Sequence, residues 1–292
     1  MYTIGIDIGG TKIKFGMFDG NSQLVKENQI KTPKEAIVEN MIDALKELVQ
    51  DEKIQGIGVA SAGIVDFHNG VIKSCPNLHA LANVPIQDML EDAFHVSVVV
   101  GNDANCAALA EGTAGAARAV SSYICVTLGT GIGGGIILNN ELVHGNSGYG
   151  GEVGHMTIVP DGLVCGCGRK GCWEAYASGK ALERMISIES DLASKNYQPE
   201  DVFKNYTKDA SCKSVVDQYL EYLSIGLINL QYLFDPEMIV IGGGVIDSSK
   251  YWWSELEEKM AATASVPIVL QQAHLKNNAS MIGASSLVKQ GK

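Results

Sequence analysis

The sequence lacks any run of 18 or more apolar residues, the length a membrane-spanning helix needs, so a helical span is excluded. It is also short of positive charge. Lys and Arg number 22 against 33 Asp and Glu, a formal net charge of −11. Binding to nucleic-acid backbones or anionic lipid draws on clustered cations, so neither nucleic acid nor a membrane is expected as a partner. A nucleotide is still possible, because loops of backbone N–H groups bind phosphate in acidic proteins too. The first residues, Met1-Tyr2-Thr3-Ile4-Gly5, pass straight into a strand-like run without a basic region, long apolar segment or cleavage site. No secretory leader is read there, and the expected location is the cytoplasm. No Pro- or Ser-rich linker and no low-complexity tract interrupts the chain.

What is present is apolar and glycine-rich. Hydrophobic residues make up 46% of 292 positions and glycine 33 of them. That length suits two domains better than one. The glycine content suits tight turns and loops that bring bare backbone to a ligand. Seven cysteines is an odd number, and three of them lie within 165–172. In a chain without a leader this pattern points to a metal site and free thiols rather than disulfides.

Strands are expected at Tyr2–Ile8, Ile13–Phe18 and Leu24–Ile30, with Asp19-Gly20-Asn21 as a hairpin signal. Ile37, Met41, Ile42, Leu45, Leu48 and Val49 share one helical face. Further strands are expected at Gln55–Val59 and Val96–Val100, and the Ala-rich stretch after Asp103 reads as a helix. The theme then restarts, with a strand at Tyr123–Leu128, a turn at Gly129–Gly133 and a strand at Gly134–Leu138. Aligning Ile6-Asp7-Ile8-Gly9-Gly10-Thr11 with Val126-Thr127-Leu128-Gly129-Thr130-Gly131 suggests an internal duplication. A long helix follows around Val215–Leu230, then a strand at Met238–Ile241, and a last helix at Ala279–Val288 expected to pack back on the first domain. Strands alternating with helices make the fold class α/β. The expected division is a smaller domain, 1–118 plus 279–292, and a larger one, 119–278, that carries the cysteine loop.

Three Gly-rich turns follow apolar strands. Asp7-Ile8-Gly9-Gly10-Thr11-Lys12 offers bare backbone, a hydroxyl and a cation to phosphate, and Asp7 is a candidate to hold hydrated magnesium. The second turn contains Thr130, Gly131 and Gly133, and the third is Gly242-Gly243-Gly244, suited to pass under an adenosine. Neither the P-loop spacing nor a dinucleotide fingerprint between strand and helix is present. Any one of these turns could be a plain hairpin; three together, two of them related by duplication, favour a nucleotide. Asp103, in Gly101-Asn102-Asp103, stands at a strand-to-helix junction, where a carboxylate can take a proton from a substrate hydroxyl or can simply cap the helix. His155, Cys165, Cys167 and Cys172 form H-x9-C-x-C-x4-C, a tetrahedral zinc set with all four positions filled and hence structural. The alternative is three free thiols in a loop. Cys75, Cys106, Cys125 and Cys212 read as packing residues.

These motifs together resemble the ROK family, which comprises bacterial sugar kinases and related repressors. The resemblance runs over essentially the whole chain and is carried by residues 7–12, 101–105, 128–135, 151–155 and most specifically 165–174. It implies an actin-like ATPase (ribonuclease H-like) fold with two α/β domains around a cleft, phosphorylation of a hexose 6-hydroxyl by ATP with Mg²⁺, and a structural Zn²⁺. It implies Asp103 as catalytic base, with Gly63, Asn77, Asn102, Glu152, His155 and Glu174 around the sugar. His155 would serve both metal and sugar. A homodimer or homotetramer is expected. Asn77-Leu78 and Val159–Cys165 are similar to the glucokinase branch, while Ser61-Ala62 in place of Pro and the absence of Trp after Leu78 depart from it. Kinases of N-acetylmannosamine or fructose are the nearest rivals. A sugar-sensing repressor is disfavoured because the first hairpin starts at residue 2, leaving no place for a helix-turn-helix domain.

Overall fold

The computed structural model describes residues 1–75 and 78–290. In chain order its elements are β1 (Tyr2–Ile8), β2 (Lys12–Phe18), β3 (Leu24–Lys31), α1 (Ile37–Val49), β4 (Ile54–Ser61), β5 (Ile64–Asp66), β6 (Val71–Ser74), α2 (Ile86–Phe94), β7 (Ser97–Asn102) and α3 (Asp103–Ala114). There follow β8 (Tyr123–Leu128), β9 (Ile132–Leu138), β10 (Glu141–Leu142), α4 (Glu174–Ala177), α5 (Gly179–Ile188), α6 (Ser190–Ser194) and α7 (Pro199–Lys204). The chain ends with α8 (Ala210–Phe234), β11 (Met238–Gly242), α9 (Trp253–Thr263), β12 (Leu270–Gln272) and α10 (Ala279–Gln290).

Two five-stranded sheets share one plan. The first runs β3-β2-β1-β4-β7 and the second β10-β9-β8-β11-β12. In the first, β1 pairs antiparallel with β2 and parallel with β4, and β4 pairs parallel with β7. In the second, β8 pairs parallel with β11, and β11 with β12. Each strand of the first sheet thus has a counterpart at the same place in the second, which is the duplication that the two Gly-turn motifs suggested. A small β5–β6 hairpin, unsignalled in the sequence, stands apart. The helix α2 at Ile86–Phe94 was likewise unsignalled.

The chain forms two compact units. One comprises Met1–Ala119, Gly135–Gly151 and Leu275–Lys292, and the other Val120–Gly134 and Glu152–His274. In the first, Ile4, Ile6, Phe15, Ile57, Val59, Val98 and Val100 from the sheet meet Ile37, Met41, Leu45 and Leu48 from α1 in one core. β1 and β4 are covered on both faces and buried almost without a break, Ile4, Ile6, Ile57 and Val59 alternating with glycines 5 and 58. Helix α10 packs on β1, β4 and α3. Its approach is close because glycines face it: a Cβ on Gly5 would strike the Met281 carbonyl, one on Gly58 the Ala284 carbonyl, and one on Gly283 the Cys106 carbonyl of α3.

Most strand ends lie within a residue or two of expectation, and one of the differences alters a candidate site residue. β9 begins at Ile132, not Gly134, because the Gly129 N–H donates to the Gly131 carbonyl (3.0 Å) and closes the turn within three residues. Gly133 is therefore a strand residue.

The glycine contact makes a testable point. Gly58→Ala would force α10 off the sheet, at an expected cost of about 2–4 kcal/mol, typical of overpacking against backbone that cannot give way. Gly20→Ala, where no atom lies within 4 Å of the added methyl, should stay within about 0.5 kcal/mol as a surface change. Denaturant midpoints of the two variants measure the difference, and equal midpoints would contradict it.

Candidate functional site

In the first unit the turn after β1 is built by the hairpin register. Ile8 pairs with Ile13 and Asp7 with Lys14, so Asp7 sits one step below the turn. The Gly9 N–H donates to the Lys12 carbonyl (3.1 Å). Thr32, just beyond β3, holds the turn from the side: its hydroxyl donates to the Gly9 carbonyl (2.7 Å) and its N–H to the Thr11 carbonyl (3.0 Å). Gly10, Thr11 and Lys12 are exposed. Lys12 Nζ reaches Gln29 Oε1 at 3.3 Å.

At the junction of β7 and α3 the cap is Asn102, not Asp103. Asn102 Oδ1 accepts from the N–H groups of Ala104 (2.8 Å) and Asn105 (3.1 Å), satisfying two open donors of the first turn. Its Nδ2 donates to the Gly63 carbonyl (3.0 Å), tying the start of α3 to the loop after β4. An asparagine side chain offers two acceptor sites and two donor hydrogens, so among the described residues one N–H of Asn102 remains. Asp103 opens the helix, half-buried, with Oδ1 accepting from the Ala104 N–H (2.9 Å). Burial pushes its carboxyl above the usual range, and the Ala104 and Asp103 amides oppose the shift. Asp7 is raised to about 6: burial lifts it, the Lys14 ammonium 3.9 Å away opposes, and the charge of Asp103 adds to the rise.

In the second unit, Thr130 is exposed at the tip of the turn after β8. The Ile132 N–H at its end donates to Glu174 Oε2 (3.2 Å), and a Cβ at Gly131 would collide with that same oxygen. Gly243 follows β11 at φ 88°, with no room for a Cβ beside the Leu128 backbone. His155, Cys165, Cys167 and Cys172 offer ligand atoms all within 4.8 Å of one another. Cys167 Sγ lies 3.6 Å from Cys172 Sγ, and Cys165 Sγ 3.6 Å from His155 Nδ1. Zinc bonds of about 2.3 Å to sulfur and about 2.0–2.1 Å to nitrogen, at the tetrahedral angle, set such pairs at about 3.8 and 3.6 Å. The four residues fit that ion. Nδ1 of His155 faces the cluster, while Nε2 lies 3.8 Å from Glu152 Oε2. Glu174 Oε1 lies 3.8 Å from His155 Nδ1 and accepts from the Cys165 thiol (3.2 Å).

The ROK family profile matches residues 3–291. A glucokinase of Streptomyces coelicolor is 34% identical over 321 residues, covering 99% of this chain and 98% of the relative. The chain belongs to the ROK family. An N-acetylmannosamine kinase of Haemophilus influenzae is also 34% identical, over 99% of this chain and 96% of its own. The solved ROK family glucokinase from Streptomyces griseus, in complex with glucose and AMPPNP, is 32% identical with a TM-score of 0.83, covering 100% of both chains. This ROK protein is therefore an ATP-dependent sugar kinase of hexokinase or glucokinase type, on the open mixed sheets of the actin-like fold.

Within the first unit this ROK kinase brings together Asp7, Gly9, Gly10, Thr11 and Lys12 on one turn, and Gly63, Asn102 and Asp103 through the Asn102 side chain. Within the second it groups Thr130, Gly131, Glu152, His155, Glu174 and the three cysteines; Gly242 and Gly243 follow β11, and Gly133 is drawn into β9. Asn77 lies outside the described residues. Three contributors escaped the sequence reading. Lys14 was legible from register, since it pairs with Asp7 once the turn is centred. Thr32 and Trp173 carried no local signal, because their partners are distant in sequence. Among the described residues no helix is long and apolar enough to cross a membrane.

The raised carboxyl of Asp7 has a pH signature. Its folded value of about 6 exceeds the model-peptide 3.8, so the folded state binds the proton more tightly. Its contribution then becomes unfavourable as pH rises through that window, and the penalty is complete above about pH 6. Asp7→Asn should stabilise the nucleotide-free protein at pH 8 by about 1–3 kcal/mol, the upper figure being the full shift at 1.36 kcal/mol per unit and the lower allowing for the lost Lys14 pair. The gain should shrink as pH falls toward 4. Melting curves of both proteins across pH 4–8 test this, and a pH-independent difference would refute the burial argument.

Proposed function

We propose that this ROK kinase transfers the γ-phosphoryl group of ATP to the 6-hydroxyl of a hexose, with glucose the preferred sugar. The observation that carries the chemistry is the division of labour at α3. Asn102 caps the helix, so the carboxylate of Asp103 is not needed for that task, and burial has raised its proton affinity toward that of a working base. The 6-hydroxyl attacks the γ-phosphorus, its proton passes to Asp103, and ADP departs. Around the sugar we assign Gly63, Asn77, the remaining Asn102 N–H, Glu152, His155 and Glu174. The turns with Gly9-Gly10-Thr11-Lys12, Thr130-Gly131 and Gly242-Gly243 are assigned to the nucleotide, with Gly133 as a flanking strand residue.

A carboxylate whose charge is under-compensated suits a cation, and on that ground we assign Asp7 to hydrated Mg²⁺, which supplies charge neutralisation on the phosphates. Zinc is assigned to His155, Cys165, Cys167 and Cys172 on the spacings given above. It supplies a fixed frame for His155 and Glu174. A metal-bound Cys165 has no proton to donate, leaving Glu174 Oε1 for a sugar hydroxyl. Elemental analysis of protein purified without added metal should find about one zinc per chain, as for a mononuclear closed site.

The preference for glucose is supported by the full-length glucokinase relatives and by the similarity at 159–165. The equal identity of an N-acetylmannosamine kinase favours a second reading, in which a C2 acetamido sugar is the substrate. We also propose the domain division 1–118 plus 279–292 against 119–278, which differs from the compact units by keeping β9 and β10 with the sheet they complete, a cytoplasmic location and a homodimer or homotetramer. None of the seven cysteines is in a disulfide, which supports a reducing compartment. Exposed Tyr232, Leu233, Val266 and Val269 offer apolar contact area. Limited proteolysis and light scattering test the division and the assembly.

Two measurements decide the function. Coupled ADP release over a sugar panel should give glucose the highest kcat/KM, ahead of N-acetylmannosamine and fructose. N-acetylmannosamine in first place would reassign the branch. Asp103→Asn should melt at or above the parent, since the cap on Asn102 is untouched and a buried carboxylate charge is removed, while kcat falls about a hundredfold or more with the loss of the base. Turnover within threefold of the parent would leave Asp103 a structural first-turn residue.

A further inference from the structure

Glu174 is the first residue of α4 and stands two positions after the ligand Cys172. The segment between them is rigidly anchored. Cys172 forms a β-bridge to Thr157, and the Trp173 N–H donates to the Met156 carbonyl (2.8 Å). The Trp173 ring is fully buried, with its Nε1–H donating to the Tyr222 carbonyl of α8 (2.9 Å). From this anchor the Glu174 carboxylate reaches back some forty residues in sequence to accept the Ile132 N–H (3.2 Å). It sits so close to Gly131 that a Cβ there would have to displace the carboxylate. The Gly129 carbonyl is held from the other side by the N–H of Gly179, the first residue of α5 (2.8 Å). The turn Gly129–Ile132 thus has its backbone pinned by two groups from the segment that follows the thiol cluster.

We propose that Glu174 is a positioning residue that couples metal occupancy of the His155–Cys165–Cys167–Cys172 cluster to the conformation of the 129–132 turn, and through it to nucleotide phosphate binding. The physical reason is a short mechanical chain. A closed metal site fixes the Cys172 backbone; Trp173 transmits that position; Glu174 holds an N–H of the turn with a charge-assisted bond. A hydrogen bond to a charged group contributes about 1.5–3 kcal/mol net, enough to govern whether a glycine-rich turn stays closed. Without the metal the three thiols would lack a common bonded centre, so that only the Thr157 and Met156 backbone ties and the Tyr222 bond would hold the segment, and the register of Glu174 with Ile132 would loosen. The coupling rests on the nucleotide reading of this turn only for its last step. Its first step, from metal to turn, is independent of any ligand.

Hydrogen exchange separates the two steps. The Ile132 amide should be protected in the metal-loaded protein, and removing the metal with a strong chelator should speed its exchange about tenfold or more, the ratio that 1.4 kcal/mol produces. Glu174→Ala should speed it equally, and chelation should then add nothing further at that amide. Glu174→Gln keeps an acceptor oxygen and should retain most of the protection. Metal content and melting temperature, measured beside the exchange, identify a variant that has merely failed to fold; in that case the chelated parent and Glu174→Gln carry the test. Ile132 exchange that is unchanged by chelation, or unchanged in a folded Glu174→Ala, overturns the proposal. Calorimetric titration with AMPPNP reads the last step: Glu174→Ala or metal removal should weaken binding about fivefold to tenfold. If Ile132 responds and AMPPNP affinity does not, the coupling of metal to turn stands and the nucleotide assignment of this turn falls.

Discussion

The first unit depends on the close approach of one helix to the middle of a sheet. Helix α10 rests on β1 and β4 where glycines 5 and 58 leave no side chain between backbones, and Gly283 lets the same helix meet α3 just as closely. Such contacts admit no adjustment by rotamer change, because the opposing atoms are main-chain carbonyls. They fix the height of β1, β4 and α3 relative to one another, and so the level at which β1 ends in Asp7, β4 leads to Gly63 and α3 begins with Asp103. Ser280, on α10 itself, donates its hydroxyl to the Asp103 carbonyl (3.2 Å), so the helix that sets the spacing also touches the candidate base.

Two carboxylates are held by that frame in one partly dry region. Each is raised chiefly by burial, and the charge of Asp103 adds to the rise of Asp7. Ion pairing would remove this cost, yet Asp7 has Lys14 only at 3.9 Å. The under-compensated charge is expensive for folding, since burial leaves both carboxylates with a raised affinity for a proton. Assigning the cap to Asn102 is what allows it. One amide side chain satisfies two donors of the helix start and grips the Gly63 carbonyl, while the neighbouring aspartate shares only the Ala104 N–H.

The second sheet repeats the plan of the first and its turn has rigidity of another kind. Where the first hairpin turn is held by Thr32, the second is held by Glu174 and Gly179, groups delivered by the polypeptide that follows the thiol cluster. A glycine-rich turn has high conformational entropy and needs such external ties to present a defined row of N–H groups. The two halves of the duplication have therefore kept their strand order while changing the means by which their turns are made rigid.

Much of the chain was legible locally. Apolar runs bounded by glycines marked β1, β8 and β11, a 3.6-residue period marked α1, and the spacing of three cysteines marked the cluster, because each of these signals lies within a dozen residues. The ROK resemblance added roles for Asp103, Glu152 and Glu174. Sequence alone left Asp103 poised between base and helix cap; the Asn102 hydrogen bonds, which depend on how β7 turns into α3, assigned the cap. It also extended the second glycine turn to Gly133, since nothing local indicates that Gly129 N–H closes the turn on Gly131. Thr32 against Gly9, Trp173 against Tyr222 and Glu174 against Ile132 each join residues more than twenty positions apart. Only the folded chain brings such groups together, because hydrogen bonds form between neighbours in space, and the composition of either partner carries no record of the other.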